Sequence, residues 1–317
     1  MKAKTINAIL CKKFDNFLES IEDSAVKEVL NKNSIITGGS IVSMLLNQNV
    51  NDYDIYLRTE EAALAVAKYY VDQFKKNPPT TFKGSNGANV VEITVESKPR
   101  VRIKIKSAGI AGEQGADNYQ YFEQIPDAET AGSEAEEFVS RATGHATALD
   151  EEPAAKLEKE EGKKYRPVFI TDNAITLSNK IQIVIRFYGE VEEIHKNYDF
   201  CHCTCAWSSW DRKLTLRQDA LESILAKELR YMGSLYPICS VIRTRKFLAQ
   251  GWTINAGQYL KMCWQISKLD LTDINVLIDQ LVGVDAAYWG HVIEALRKTD
   301  LKTVDSTYIA TIIDKIF

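Results

Sequence analysis

From residue 5 to about residue 30, Ile6, Leu10, Phe14, Phe17 and Ile21 recur three or four positions apart with polar residues between them. That is the period of an amphipathic helix. Asn31, Asn33 and Ser34 break the run. Ser34 to Thr37 then reads as a short apolar strand entering Gly38-Gly39-Ser40, and Ile41, Val42, Met44, Leu45 and Leu46 predict a short helix after the glycines. Asn47 to Asn51 is a turn, and Asp52 to Leu57 alternates polar and apolar residues as a strand does. Glu60 to Phe74 is an alanine-rich helix, and Lys75 to Asn89, with Pro78, Pro79, Gly84 and Gly87, is a loop. Val90 to Val95 and Val101 to Ile105 form a strand pair turning near Pro99.

The pattern then changes. From Ser107 to Lys164 the chain is rich in Gly, Ala, Glu and Asp and poor in large apolar residues. Such composition buries little, so residues 107–164 read as an acidic, flexible insertion serving as a surface excursion or a partner-binding arm. Strands are expected again at Val168 to Ile170, Ala174 to Leu177 and Lys180 to Phe187, followed by a turn and short helix from Gly189 to Lys196. Tyr198 to Thr204 is a further strand candidate. From about Thr215 the pattern is helical, with candidates at Arg217 to Leu225, Ile238 to Gln250, Ala256 to Ser267, Asp273 to Val282, Tyr288 to Lys298 and Tyr308 to Ile316. The expected division is an α+β domain from 1–106 and 165–212, the insertion, and an all-helical C-terminal domain at 213–317.

Composition narrows the classes. A length of 317 residues with 45% hydrophobic content is ample for a buried core. A net charge of −4 argues against a uniformly basic nucleic-acid wrapper, while leaving room for a local basic patch. No stretch is long and apolar enough for a membrane span, and Met1 to Lys13 lacks the apolar run of a signal peptide, so a cytoplasmic location is expected. The six cysteines (Cys11, Cys201, Cys203, Cys205, Cys239, Cys263) are then expected to be reduced.

Chemistry concentrates between Ile35 and Leu57. Two glycines let backbone N–H groups approach phosphate oxygens, and the helix that follows directs its free donors to the same place. Ser40 adds a hydroxyl. Asp52 and Asp54, two apart on a strand, project from one face and supply hard oxygens of the kind magnesium prefers. Two such carboxylates repel unless a cation or base lies between them.

In order and spacing, Ile35-Ile36-Thr37-Gly38-Gly39-Ser40 followed by Asp52-Tyr53-Asp54-Ile55 resembles the polymerase-β-like nucleotidyltransferase superfamily. Ile181-Gln182-Ile183 with a following Asp199-Phe200 resembles its viral and phage branch. The resemblance covers roughly residues 30–60 and 165–205. It implies a mixed sheet flanked by helices, and Mg²⁺ or Mn²⁺ held by Asp52, Asp54 and a third carboxylate. Asp199 is the preferred third, with Asp117, Asp172, Glu92 and Glu96 as alternatives. It further implies a nucleoside triphosphate held by Gly38, Gly39 and Ser40, and transfer of the nucleoside monophosphate to a hydroxyl of RNA, protein or a small molecule with release of pyrophosphate. The competing expectation is a descendant of the same fold whose site has lapsed, a viral binding or structural protein.

Other features have plainer readings beside the functional ones. Arg243 and Lys246, three apart on an expected helix, could meet phosphates in a two-domain enzyme or form a solvated helix face. Trp252 and Tyr259 could stack on a base, though apolar core is the stronger expectation. In Cys201-His202-Cys203-Thr204-Cys205 a strand would put three thiols on one face with His202 opposite, a poor tetrahedral zinc site, so buried structural cysteines are expected. None of His145, His195, His202 and His291 has a recognisable catalytic spacing.

Overall fold

A computed structural model of the chain describes residues 1–76, 91–98, 100–107, 165–170, 173–271, 273, 276, 280 and 307. The expected insertion beyond Ser107, the alternatives Asp117 and Asp172, and nearly all of the helices expected after residue 272 lie outside the described residues. Among the described residues the chain divides into two compact units. One comprises those up to His195 together with Cys203–Arg217, and the other Lys196–His202 together with those from Gln218 onward.

The first unit begins with two helices where the periodicity predicted one: α1 (Ala3–Glu19) and α2 (Ser24–Asn33). The break falls at Asp23, whose carboxylate accepts hydrogen bonds from the N–H groups of Ala25 and Val26 and so starts a new helix. The apolar stripe of α1 is buried as expected, at Ile6, Leu10, Phe14 and Phe17. There follow β1 (Ser34–Thr37), α3 (Gly39–Leu45), β2 (Tyr53–Leu57) and α4 (Glu60–Lys76). An antiparallel pair, β3 (Val91–Glu96) and β4 (Arg102–Ser107), stands as a sheet of its own. Then come β5 (Pro167–Ile170), β6 (Ala174–Leu177), β7 (Ile181–Tyr188), the short helix α5 (Val191–His195), β8 (Ala206–Ser208) and β9 (Lys213–Thr215).

Seven of these strands form one mixed sheet in the order β5-β6-β7-β2-β1-β8-β9. Only β2 and β7 run parallel, and every other neighbouring pair is antiparallel. The last two strands, β8 and β9, extend the sheet beyond β1 where the sequence pattern indicated none.

The expected strand from Tyr198 to Thr204 is not one. Cys201–Cys203 makes a single 3₁₀ turn, and Phe200 contributes only an isolated antiparallel bridge to Tyr231. The backbone groups a strand would present are engaged elsewhere. The Cys201 N–H donates to the Arg230 carbonyl, and the Cys203 carbonyl accepts from the Gly38 N–H. Alternation therefore does not sort the cysteines onto one face, but Cys201 and Cys205 are buried as expected and all six cysteines are free thiols.

The second unit holds α6 (Gln218–Ala226), α7 (Pro237–Ala249) and α8 (Ala256–Ile266). These helices are joined by one two-residue parallel pairing of β10 (Glu228–Leu229) with β11 (Thr253–Ile254). Among the described residues no helix is long and apolar enough to cross a membrane.

Candidate functional site

Strand register sorts the large sheet into two unlike faces. Residues paired across neighbouring strands point to the same side, and residues two apart along one strand do likewise. Ile36, Ile55, Ile183 and Ile175 stand side by side across β1, β2, β7 and β6, and all four are buried. Trp207, paired with Ile36, is fully buried on this face with its ring 5.2 Å from Phe14 of α1. The next row across the same strands faces the other way and reads Thr37, Asp54, Gln182, Thr176. Asp54, Gln182 and Thr176 are only half-buried. One face is thus core, and the other carries this polar row beside Ile35, which shares Thr37's side of β1 and is also fully buried.

The expected phosphate turn sits at the end of this polar row. Gly38 adopts φ 90°, a conformation a side chain would strain, and it caps α3. Its N–H donates to the Cys203 carbonyl at 3.2 Å, so this amide supports the turn and is not open to a phosphate. Gly39 is exposed, and a Cβ built on it would meet nothing within 4 Å. Ser40 is 2% exposed, and its Oγ has no hydrogen-bond partner among the described residues.

Asp54 lies within β2 between Thr37 of β1 and Gln182 of β7. Asp52 lies one residue before the strand and is also half-buried. Tyr53, between them, donates its N–H to the Lys180 carbonyl at 2.8 Å and so aligns the start of β2 with β7.

Behind the turn is a polar chain that the sequence did not disclose. The Thr37 Oγ1 lies 2.9 Å from His195 Nε2 and 2.8 Å from the Cys205 carbonyl. A threonine has one hydroxyl hydrogen, and the carbonyl can only accept, so the hydroxyl donates to Cys205 and receives the Nε2–H of His195. That places a hydrogen on Nε2 of His195. Burial, and to a lesser degree the positive charge of Arg217, push the His195 pKa down to about 4, in keeping with a neutral ring. His195 therefore holds the end of β1, and with it Gly38, in place.

The side chains of this unit that could contribute oxygens to a divalent cation are Asp52 and Asp54, with the amide of Gln182 beside Asp54. These are hard oxygens, and they suit a cation that shares the remaining positions with phosphate oxygens and water. Among the described residues no three His, Cys, Asp or Glu side chains converge into a metal-holding group.

In the second unit, Asp199 and Arg243 are partners. The Arg243 guanidinium pairs with the Asp199 carboxylate, which is 7% exposed. A carboxylate buried to that degree needs such a partner. The residue expected to be the third metal ligand and the residue expected to meet phosphate are thus engaged with each other. Lys246, one turn further along α7, is exposed. Trp252 is buried, its ring 4.3 Å from His202, which also packs edge-on against Phe247 at 4.8 Å. Burial pushes His202 down to about 4. This cluster is apolar core, as expected for Trp252, and it explains His202 as a packed ring. Tyr231 donates its hydroxyl to Gln265 at 2.7 Å, and burial raises its pKa to about 12. Tyr259, for which apolar core was also the stronger expectation, is instead exposed on α8. Of the alternative third carboxylates, Glu96 pairs with Arg102 in the small sheet.

The profile of the Gabija anti-defense 2 protein family matches residues 8–227. The chain belongs to that family. A curated relative, "Gabija anti-defense 2" of Bacillus phage SPbetaL7, is 24% identical over 107 residues, which cover 33% of this chain and 27% of the relative. The match thus spans about a quarter of the relative's length. Among solved structures, the Thermotoga maritima CCA-adding enzyme complexed with tRNA aligns with a TM-score of 0.44 and 9% identity, over 100% of this chain and 54% of that one. A tRNA-processing enzyme with CTP aligns at 0.34 and 12%, over 86% and 56%. Neither structural likeness is close enough to carry an argument about activity.

Proposed function

We propose that this member of the Gabija anti-defense 2 family is a divalent-cation-dependent nucleotidyltransferase acting in phage counter-defence. It would move a nucleoside monophosphate from a nucleoside triphosphate to a hydroxyl of an RNA 3′ end, a protein or a small molecule. The observation that carries this is the polar row. Asp54 lies beside Thr37, whose next residue is the positive-φ Gly38 that opens α3. The Asp54 carboxylate and a glycine turn are thereby brought to one end of one sheet face.

In this reading Asp52 and Asp54 hold the cation, and Gly39 and Ser40 approach the triphosphate. Gly38 shapes the turn from behind, and Thr37 with His195 keeps β1 in register. When bound, the cation neutralises phosphate charge and orients the triphosphate. The acceptor oxygen forms a bond to the α-phosphorus, the bond from that phosphorus to the bridging oxygen breaks, pyrophosphate leaves, and the hydroxyl proton passes to solvent. The residues assigned to these roles all lie in the first unit. Asp199, held by Arg243, is assigned no cation.

The test is incubation of the protein with each α-labelled nucleoside triphosphate in host extract, followed by separation into RNA, protein and small molecules. Label in one fraction, dependent on Mg²⁺ or Mn²⁺, supports the reading and names the acceptor class. No label in any fraction contradicts it. A second reading, a binding protein on the same fold without turnover, is favoured by one observation, the engagement of the Gly38 N–H by the Cys203 carbonyl. It predicts neither label transfer nor cation-dependent nucleotide binding.

A further inference from the structure

Asp54 has two lateral neighbours on the polar face, and both are uncharged: Thr37 on β1 and Gln182 on β7. Adjacent strands lie about 5 Å apart, so the first side-chain oxygens of positions 54 and 182 fall within reach of a single cation. Thr37 is taken up by His195 and Cys205. Gln182 is half-buried, in a strand whose alternate residues Ile181, Ile183 and Ile185 fill the opposite face. A polar side chain here is not required by the core. Among the described residues, the position beside Asp54 on β7 holds an amide, Gln182. Asp199 is paired with Arg243, and among the described residues no three His, Cys, Asp or Glu side chains converge.

We propose that Gln182 is the third member of the cation site, contributing a neutral Oε1, so that the chain binds one divalent cation that arrives with the nucleoside triphosphate. This rests on the nucleotidyltransferase reading and extends it. A neutral oxygen adds a ligand without adding charge, and ligand charge count is a principal lever on affinity for hard cations. Two carboxylates and an amide hold a bare cation weakly. Triphosphate oxygens supply the missing charge, and the cation and nucleotide bind as a unit. The two-cation clamp that spreads over attacking and leaving oxygens is not built from this donor set.

The experiment is Mn²⁺ binding by electron paramagnetic resonance to the full chain, with and without α,β-methylene ATP, which cannot undergo transfer. It compares the native protein, Gln182→Glu, Thr176→Glu and Asp54→Asn, each checked for an unchanged melting profile. Gln182→Glu is nearly isosteric, and Thr176→Glu places the same charge one strand further from Asp54. The expected result is native binding only with the nucleotide, binding by Gln182→Glu about tenfold tighter and detectable without nucleotide, and a change of less than about twofold in Thr176→Glu. If Gln182→Glu matches the native protein while Asp54→Asn loses binding, Gln182 is outside the site and the nucleotidyltransferase reading stands. If Thr176→Glu tightens binding as much as Gln182→Glu, the gain is general charge and the inference is overturned. If neither the native protein nor any variant binds Mn²⁺, the functional reading falls and the inference with it.

Discussion

The two faces of the large sheet are built by the same strands, yet one is occupied by Ile36, Ile55, Ile183, Ile175 and Trp207, and the other by Thr37, Asp54, Gln182 and Thr176. The apolar face needs no further explanation. Each buried isoleucine contributes about 1.5–3 kcal/mol, and the helix α1 brings Phe14 onto Trp207 to cover it. The polar face does need one, because half-buried polar groups in mid-sheet add little stability and the carboxylates among them repel. The apolar row serves stability, whereas Asp54, Gln182 and Thr176 are half-buried on a side where Ile35 and Thr37 of β1 are still fully buried. A substitution in the apolar row should therefore damage stability, and one at Asp54 chemistry.

The largest effect on stability is expected from the apolar row. Ile183→Ala should destabilise the fold by about 2–5 kcal/mol, read by urea or thermal unfolding, because it empties a fully buried position between β2 and β6. Nucleotide binding by the fraction that stays folded should be unchanged. A smaller loss is expected at the boundary between the faces. Thr37→Val keeps the shape but strands the His195 Nε2–H and the Cys205 carbonyl, and should cost about 1–3 kcal/mol in the same assay. It should also weaken nucleotide binding if β1 and Gly38 shift.

How much of this was legible beforehand depends on how local each signal is. The strands at Ile35 and Asp52, the glycine turn and the short α3 follow from residues adjacent in the chain, and they fall within a residue or two of expectation. The alternation of β7 separates Ile181, Ile183 and Ile185 from Gln182 in sequence as in space. The Asp23 cap that divides α1 from α2 is also written locally, but the apolar periodicity running through Ile21 and on to Val26 hides it. β8 and β9 are three residues each, too short for alternation to show, and exist because β1 offers an unpaired edge. The pairing of Thr37 with His195 spans 158 residues, and that of Asp199 with Arg243 spans 44. No spacing rule reaches so far. The position of Gln182 beside Asp54 likewise required knowing that β7, beyond the segment 107–164, pairs with β2 in parallel.

Acidification probes the buried histidines. In the folded protein His195 and His202 have pKa values of about 4, against an ordinary 6.5 that the unfolded chain would show. Between those values the unfolded chain binds more protons, so stability is full above about pH 6.5 and falls as pH drops toward 4. Thermal melting should show a falling midpoint from pH 7 to pH 5 and little change from pH 7 to pH 8. Replacing His195 by Gln, which keeps an amide donor in place of the Nε2–H, should flatten part of that slope. A slope that is unaltered in the variant would show that His195 is not buried neutral.

The smallest effect is expected from the far end of the polar row. Thr176→Val on β6 should change unfolding free energy by no more than about 0.5 kcal/mol, since it neither opens a cavity nor breaks a described hydrogen bond. It should leave cation-dependent nucleotide binding at the native level. A large loss of stability there would mean that the polar face is part of the core and that the contrast between the faces is overstated.

The central claim is that Asp54 is on that face for chemistry, and the direct measurement is transfer of α-labelled nucleotide in host extract by the native protein and by Asp54→Asn, with melting profiles recorded for both. Asp54→Asn should melt close to the native temperature while label transfer falls by about 100-fold or more, since the amide keeps the shape of the side chain but removes the charge that would hold the cation. Native-level transfer by a folded Asp54→Asn protein would contradict that claim.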